Sequence, residues 1–132
     1  MSEPPPREGQ RWQAVTLNGD HSYNFEAGVT AERGCTIVSP AGELDIATCE
    51  ALERRIAPLL EQGEHVIVDL CGLLFVDVAG MRALLSCARL AQARGVRFSI
   101  ALGSERVRRL FELCRMLDEF DFVYESLAAV PR

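Results

Sequence analysis

The chain contains no lysine; all fourteen of its basic residues are arginines. That absence suggests a GC-rich genome. It also removes whole classes of chemistry. The phosphate-cradling G-x-x-x-x-G-K-[ST] loop cannot be completed without its lysine. A receiver domain cannot be completed either, although Val66-Ile67-Val68-Asp69-Leu70 resembles a phosphoacceptor strand. Such a domain needs a lysine, and it needs an acidic pair after an earlier strand that is missing here. No G-x-S-x-G supplies an activated serine. The five cysteines, at 35, 49, 71, 87 and 114, include no C-x-x-C pair. The two histidines, His21 and His65, are too far apart in sequence to begin a ligand set, so no metal site is expected. No apolar run approaches membrane-spanning length, and the opening Met1-Ser2-Glu3-Pro4-Pro5-Pro6 lacks the apolar core of a signal peptide. A cytoplasmic protein with reduced thiols, serving as small buried hydrophobes, is the expectation.

What is present is the size and apolar content of one domain with a real core: 132 residues, 48% of them hydrophobic. The net charge of −5 is unevenly spread. Residues 1–70 hold five arginines against twelve acids, residues 71–117 eight against three, and residues 118–132 one against four. The positive middle falls on amphipathic helices, where arginines form a solvated face. With an acidic total and no reader motif, direct nucleic-acid binding is not expected.

Hydrophobic periodicity orders the chain. Residues 1–22, Pro-rich at the start, read as a flexible extension, although Trp12, Val15 and Leu17 leave room for a strand or cap. Residues 23–30 and 35–41 read as a hairpin turning at Gly34, with Pro40 marking the end of its second strand or an edge. Asp45 or Thr48 is placed to cap a helix whose apolar face is Leu52, Ile56, Leu59 and Leu60. Pro58 predicts a kink or restart in it and Gly63 its stop. His65 to Leu70 is a β-branched central strand, and Leu73 to Val76 occupies the position of a connection. Asp77 stands at an N-cap, before a helix from about Ala79 to Arg94 that ends at Gly95. A strand at 96–102 follows, then a helix capped by Ser104 with Val107, Leu110, Phe111, Cys114 and Leu117 on one face. A last strand at 120–125 and a short final helix from Ser126 close the domain.

The order β-β-α-β-α-β-α-β predicts an α/β fold, with helices packed on a mixed, mainly parallel sheet. Ligands or partners of such sheets meet the loops beyond the strands' carboxyl ends. Two of these loops lead into helices: Gly42 to Asp45 and Asp77 to Met81. A helix start carries partial positive charge and free N–H groups, which suit a phosphate or a partner. Asp69 and Asp77 could be an acid/base pair, but a strand-end aspartate and a helix cap describe them better. No enzyme and no cofactor is expected.

Gly42-Glu43-Leu44-Asp45, then Val68-Asp69-Leu70, then Phe75-Val76-Asp77-x-x-Gly80-Met81-x-x-Leu84 resembles the STAS domain, in particular the bacterial anti-sigma factor antagonists. Ser104-x-x-Val107-x-x-Leu110-Phe111 fits the family's third helix, and the resemblance covers residues 23–130. It implies a protein that binds an anti-sigma factor, often a serine kinase with a histidine-kinase-like ATP fold, and so frees a sigma factor. The implied contact residues are Gly42, Glu43, Asp45, Asp77, Val78, Ala79, Gly80 and Met81. In the family the kinase phosphorylates a Ser or Thr directly after the motif aspartate. Here that position is Val78, which has no hydroxyl, and Ala79 cannot substitute for it. The resemblance therefore implies an antagonist without the usual off-switch, and more apolar surface at the contact. STAS domains also serve as non-catalytic subunits of membrane lipid transporters and of sensory scaffolds, and the missing hydroxyl keeps that alternative open. A small-molecule or redox sensor using the cysteines is a third alternative, and it requires an exposed thiol of depressed pKa. Oligomeric state is not legible.

Overall fold

The computed structural model describes residues 10–14, 25–32 and 34–123. Two antiparallel pairings open the sheet: β1 (Gln10–Ala14) with β2 (Phe25–Glu32), and β2 with β3 (Cys35–Leu44). After α1 (Cys49–Glu61), β4 (Val66–Asp69) pairs parallel to β3. β5 (Gly72–Val76), α2 (Val78–Arg94), β6 (Phe98–Ala101), α3 (Glu105–Leu113) and β7 (Asp121–Phe122) complete the order. The main path of the mixed sheet runs β1-β2-β3-β4-β6-β7, with β5 off that path on β3. This is the expected α/β architecture with two strands added. β1 lies within residues 1–22, so that segment is not wholly an unstructured extension. The expected final helix from Ser126 lies outside the described residues.

The core forms because short β-branched strands meet the apolar faces of α1 and α2. Val38, Val66, Val68 and Ile100 from the sheet, with Leu52, Ile56, Leu60 and Leu84 from the helices, are fully buried. α1 and α2 pack against each other. Phe111 anchors α3 by edge-on contacts to Phe120 and Phe122, with centroids 5.7 and 6.1 Å away. Among the described residues, no helix is long and apolar enough to cross a membrane.

Three local expectations are corrected. Pro40 neither ends β3 nor marks an edge. β3 pairs with β4 through residues 36–38 and with β5 through residues 41–44, so Pro40 falls where one parallel neighbour hands over to the next. No ladder on that side asks for its missing N–H. Leu73 to Val76 is not a connection but most of β5, because β3 is ten residues long and β4 covers only its first part. Pro58 does not restart α1: the helix runs unbroken from Cys49 to Glu61, Pro58 is exposed, and its carbonyl accepts the Gln62 N–H at 3.0 Å.

An unbroken helix that tolerates Pro58 still lacks one backbone donor and carries the crowding of the ring. Pro58→Ala restores that donor on an exposed face. We expect it to raise the unfolding free energy by about 1–3 kcal/mol, read from urea denaturation midpoints at constant m.

Candidate functional site

The site is built where β3 and β5 end side by side. Leu44 pairs with Val76, and the Asp77 N–H donates to the Leu44 carbonyl at 3.0 Å, which ties the start of α2 to the end of β3. Gly42 makes this junction possible. Its φ of +101° lies in the region that favours glycine, at the register shift between Gly42 and Glu43.

Past the junction each chain turns into a helix. Asp77 takes the expected N-cap position: its backbone is extended and its carboxylate accepts the Gly80 N–H at 2.9 Å. The loop after β3 is organised differently from expectation. Thr48 holds the N-cap position of α1 but makes no side-chain cap bond. Instead the Asp45 carboxylate accepts the N–H groups of Ala47 and Thr48 at 2.9 and 3.2 Å. The Thr48 hydroxyl donates to the Glu43 carbonyl at 2.8 Å. This pinned turn leaves Ile46 at its outer side, 80% exposed.

The expected contact residues separate by exposure. Glu43 and Val78 are exposed, the latter at 45%. Asp45, Asp77 and Ala79 are half-buried. Gly42, Gly80 and Met81 are buried. Met81 points into the core with no exposed area. Gly80 does allow a close backbone approach, but an internal one: a Cβ there would lie 2.7 Å from the Leu44 carbonyl oxygen and 2.8 Å from the Leu44 Cγ. Three residues that sequence reasoning did not place at the site are exposed beside it: Ile46, Leu74 and Phe75. Burial along Leu73 to Val76 does not alternate: Leu73 and Val76 are buried, while Leu74 and Phe75 are both exposed where the pairing with β3 skips Leu74.

Asp69 and Asp77 each accept a backbone N–H. Asp69, at the end of β4, is buried and accepts the Cys71 N–H at 2.9 Å, while Asp77 caps α2. Among the described residues, no group of three or more His, Cys, Asp or Glu could hold a metal ion. The cysteines are not uniformly buried: Cys87 is, Cys71 is exposed, and Cys35, Cys49 and Cys114 are intermediate. Burial, with a contribution from Glu53, pushes the Cys87 thiol up to about 12, so it stays protonated at neutral pH. A cavity of about 410 Å³ lies away from the site, between α2 and the starts of β6 and β7, and none of the motifs falls in it.

The fold and site define a mixed-sheet α/β domain that presents a capped helix start beside an apolar surface. The chain belongs to the STAS domain family, whose model matches residues 27–130. It is 27% identical over 107 residues to the anti-sigma-B factor antagonist of Bacillus subtilis, an alignment covering 81% of this chain and 98% of that one. It is 26% identical over 92 residues to the anti-sigma F factor antagonist of Paenibacillus polymyxa, covering 68% and 79%. Among solved structures, an anti-sigma factor antagonist from Mycobacterium paratuberculosis shares the fold with a TM-score of 0.71 at 23% identity, over 80% of this chain and 89% of that one.

Two substitutions test the junction by chemical denaturation. Asp77→Ala removes the cap and lowers the unfolding free energy by about 0.5–2 kcal/mol, whereas Asp77→Asn loses less. Gly80→Ala is destabilising by about 1–3 kcal/mol, even though alanine is the better helix former, because a backbone carbonyl must give way.

Proposed function

We propose that this protein is an anti-sigma factor antagonist. It binds an anti-sigma factor, a serine kinase of ATPase-like fold, and so releases a sigma factor. The observation that carries this reading is the capped start of α2, with Val78 exposed in its first turn. It agrees with the names of the relatives of the chain.

The same position carries the proposed difference in regulation. A phosphoryl group added there would bring about −1.5 to −2 charge and a large desolvation cost into the contact. Val78 has only carbon atoms and offers no acceptor, so the kinase cannot release itself by modifying this residue. Exposed apolar surface also favours a drier contact than a hydroxyl would. The antagonist therefore stays competent for as long as it is present. On this reading it works in the cytoplasm as a binding protein, without a cofactor, catalysis, membrane insertion or direct contact to nucleic acid.

The test uses purified anti-sigma kinases encoded in the genome that encodes this chain, titrated by calorimetry. We expect one of them to bind, Val78→Glu to weaken that binding at least tenfold, and ATP to leave the complex intact and Val78 unmodified. Val78→Ser should become a phosphorylation substrate and dissociate with ATP. Absence of binding by every kinase, or equal binding by folded Val78→Glu, overturns the reading.

A further inference from the structure

The cavity of about 410 Å³ lies along the second half of α2, away from Val78, against the starts of β6 and β7. Its volume is within the range of small-molecule sites, roughly 300–1,000 Å³. α2 lines it with Leu85, Ala88, Arg89 and Gln92, spaced i, i+3, i+4 and i+7, which puts all four on one flank of the helix. Phe98, at the start of β6, and Phe120, just before β7, line it from the other side. Edge-on contacts to Phe111 and Phe122, with centroids 5.7 and 6.0 Å away, fix the Phe120 ring. The aromatic wall is therefore in place before anything binds.

The charged groups at the mouth differ in what they have free. Arg97 lies 3.4 Å from an Asp121 carboxylate oxygen, and the same oxygen accepts the Ser99 hydroxyl at 2.7 Å. Arg89 is exposed and, among the described residues, has neither an ion pair nor a side-chain hydrogen bond. Glu119, also exposed, lines the cavity next to Phe120. A ligand thus meets one free guanidinium, together with two carboxylates that oppose any second negative charge.

We propose that this cavity is a binding site for an aromatic monocarboxylate. The Arg89 guanidinium presents a planar pair of donors that matches a carboxylate, and Gln92, three residues further along α2, adds an amide donor. Leu85, Ala88 and Phe98 receive the apolar body, and the Phe120 ring meets its aromatic part. Nucleotides and other polyanions do not fit this charge balance: Arg97 is already shared with Asp121, and Glu119 faces the same space. The site is separate from the start of α2, so the protein can hold a small molecule and a protein partner on different surfaces.

The experiment titrates 2-naphthoate into the full chain and follows its backbone amides by NMR. We expect saturable shifts confined to residues 85–92, 96–98 and 119–121, half-complete below about 1 mM. Arg89→Glu should raise the half-saturation concentration at least tenfold. Ala88→Trp, which fills the cavity, should abolish the shifts. Arg82→Glu changes an exposed arginine of α2 outside the cavity and should stay within twofold of the unaltered protein. The cationic analogue 2-naphthylmethylammonium should bind at least tenfold more weakly, and ATP should not displace the naphthoate. Arg89 is exposed, so its variant keeps the test decisive if Ala88→Trp unfolds. Shifts that do not saturate, shifts centred on Ile46, Phe75 and Val78, unchanged binding by folded Arg89→Glu, tighter binding of the cation, or displacement by ATP each overturn the inference. None of these outcomes bears on binding to an anti-sigma kinase, so the antagonist role stands or falls separately.

Discussion

The carbonyl of Leu44 is the point on which the site depends. It accepts the Asp77 N–H, and it is the atom that a side chain at residue 80 would strike first. Both facts follow from one geometry: β3 and β5 are parallel neighbours that end together, and α2 starts directly against that end. A residue with a Cβ at position 80 would lift the helix off the strand. A different backbone at Gly42 would lose the register shift that lets the two strands finish level. Thus two glycines and one aspartate convert a sheet edge into a fixed platform. Their role is to hold still what other residues present.

Much of this fold was legible because its signals are local. The run of β-branched residues in β4, the Asp77 cap, the glycine after α2 and the Ser104 cap of α3 each specify their own element, and each is where the sequence puts it. The misreadings share a different cause. Local rules mislead at Pro40, Pro58 and the Leu73 to Val76 run, because neighbours decide these positions. Pro40 is harmless because of where two other strands change over. Pro58 is tolerated within an unbroken helix because its side of α1 faces solvent. β5 exists because a ten-residue β3 leaves its second half without a parallel partner. None of these is visible in a window of a few residues.

The site shows the same division. The motif marks two segments, but a motif does not distinguish the residues that build a turn from those that face outward. Met81 and Gly80 belong to the building set, and Ile46, Leu74 and Phe75 to the outward one. The Asp45 carboxylate could be read as a helix cap from its spacing alone. Its hydrogen bonds instead close the turn that carries Ile46, so its effect on the surface is indirect.

An exposed Leu-Phe pair on a strand is a liability in a small domain, since it invites association with other edges. The chain keeps that pair, and adds Val78 and Ile46, on a platform whose fixed parts are well buried. Apolar side chains left in water contribute nothing to the folded state that a polar residue would not match, so their free energy is available only on contact with something else. On the proposed reading, valine at position 78 adds to the apolar part and offers a kinase no hydroxyl there to modify. On the proposed reading, control shifts from covalent modification to how much of this protein the cell holds.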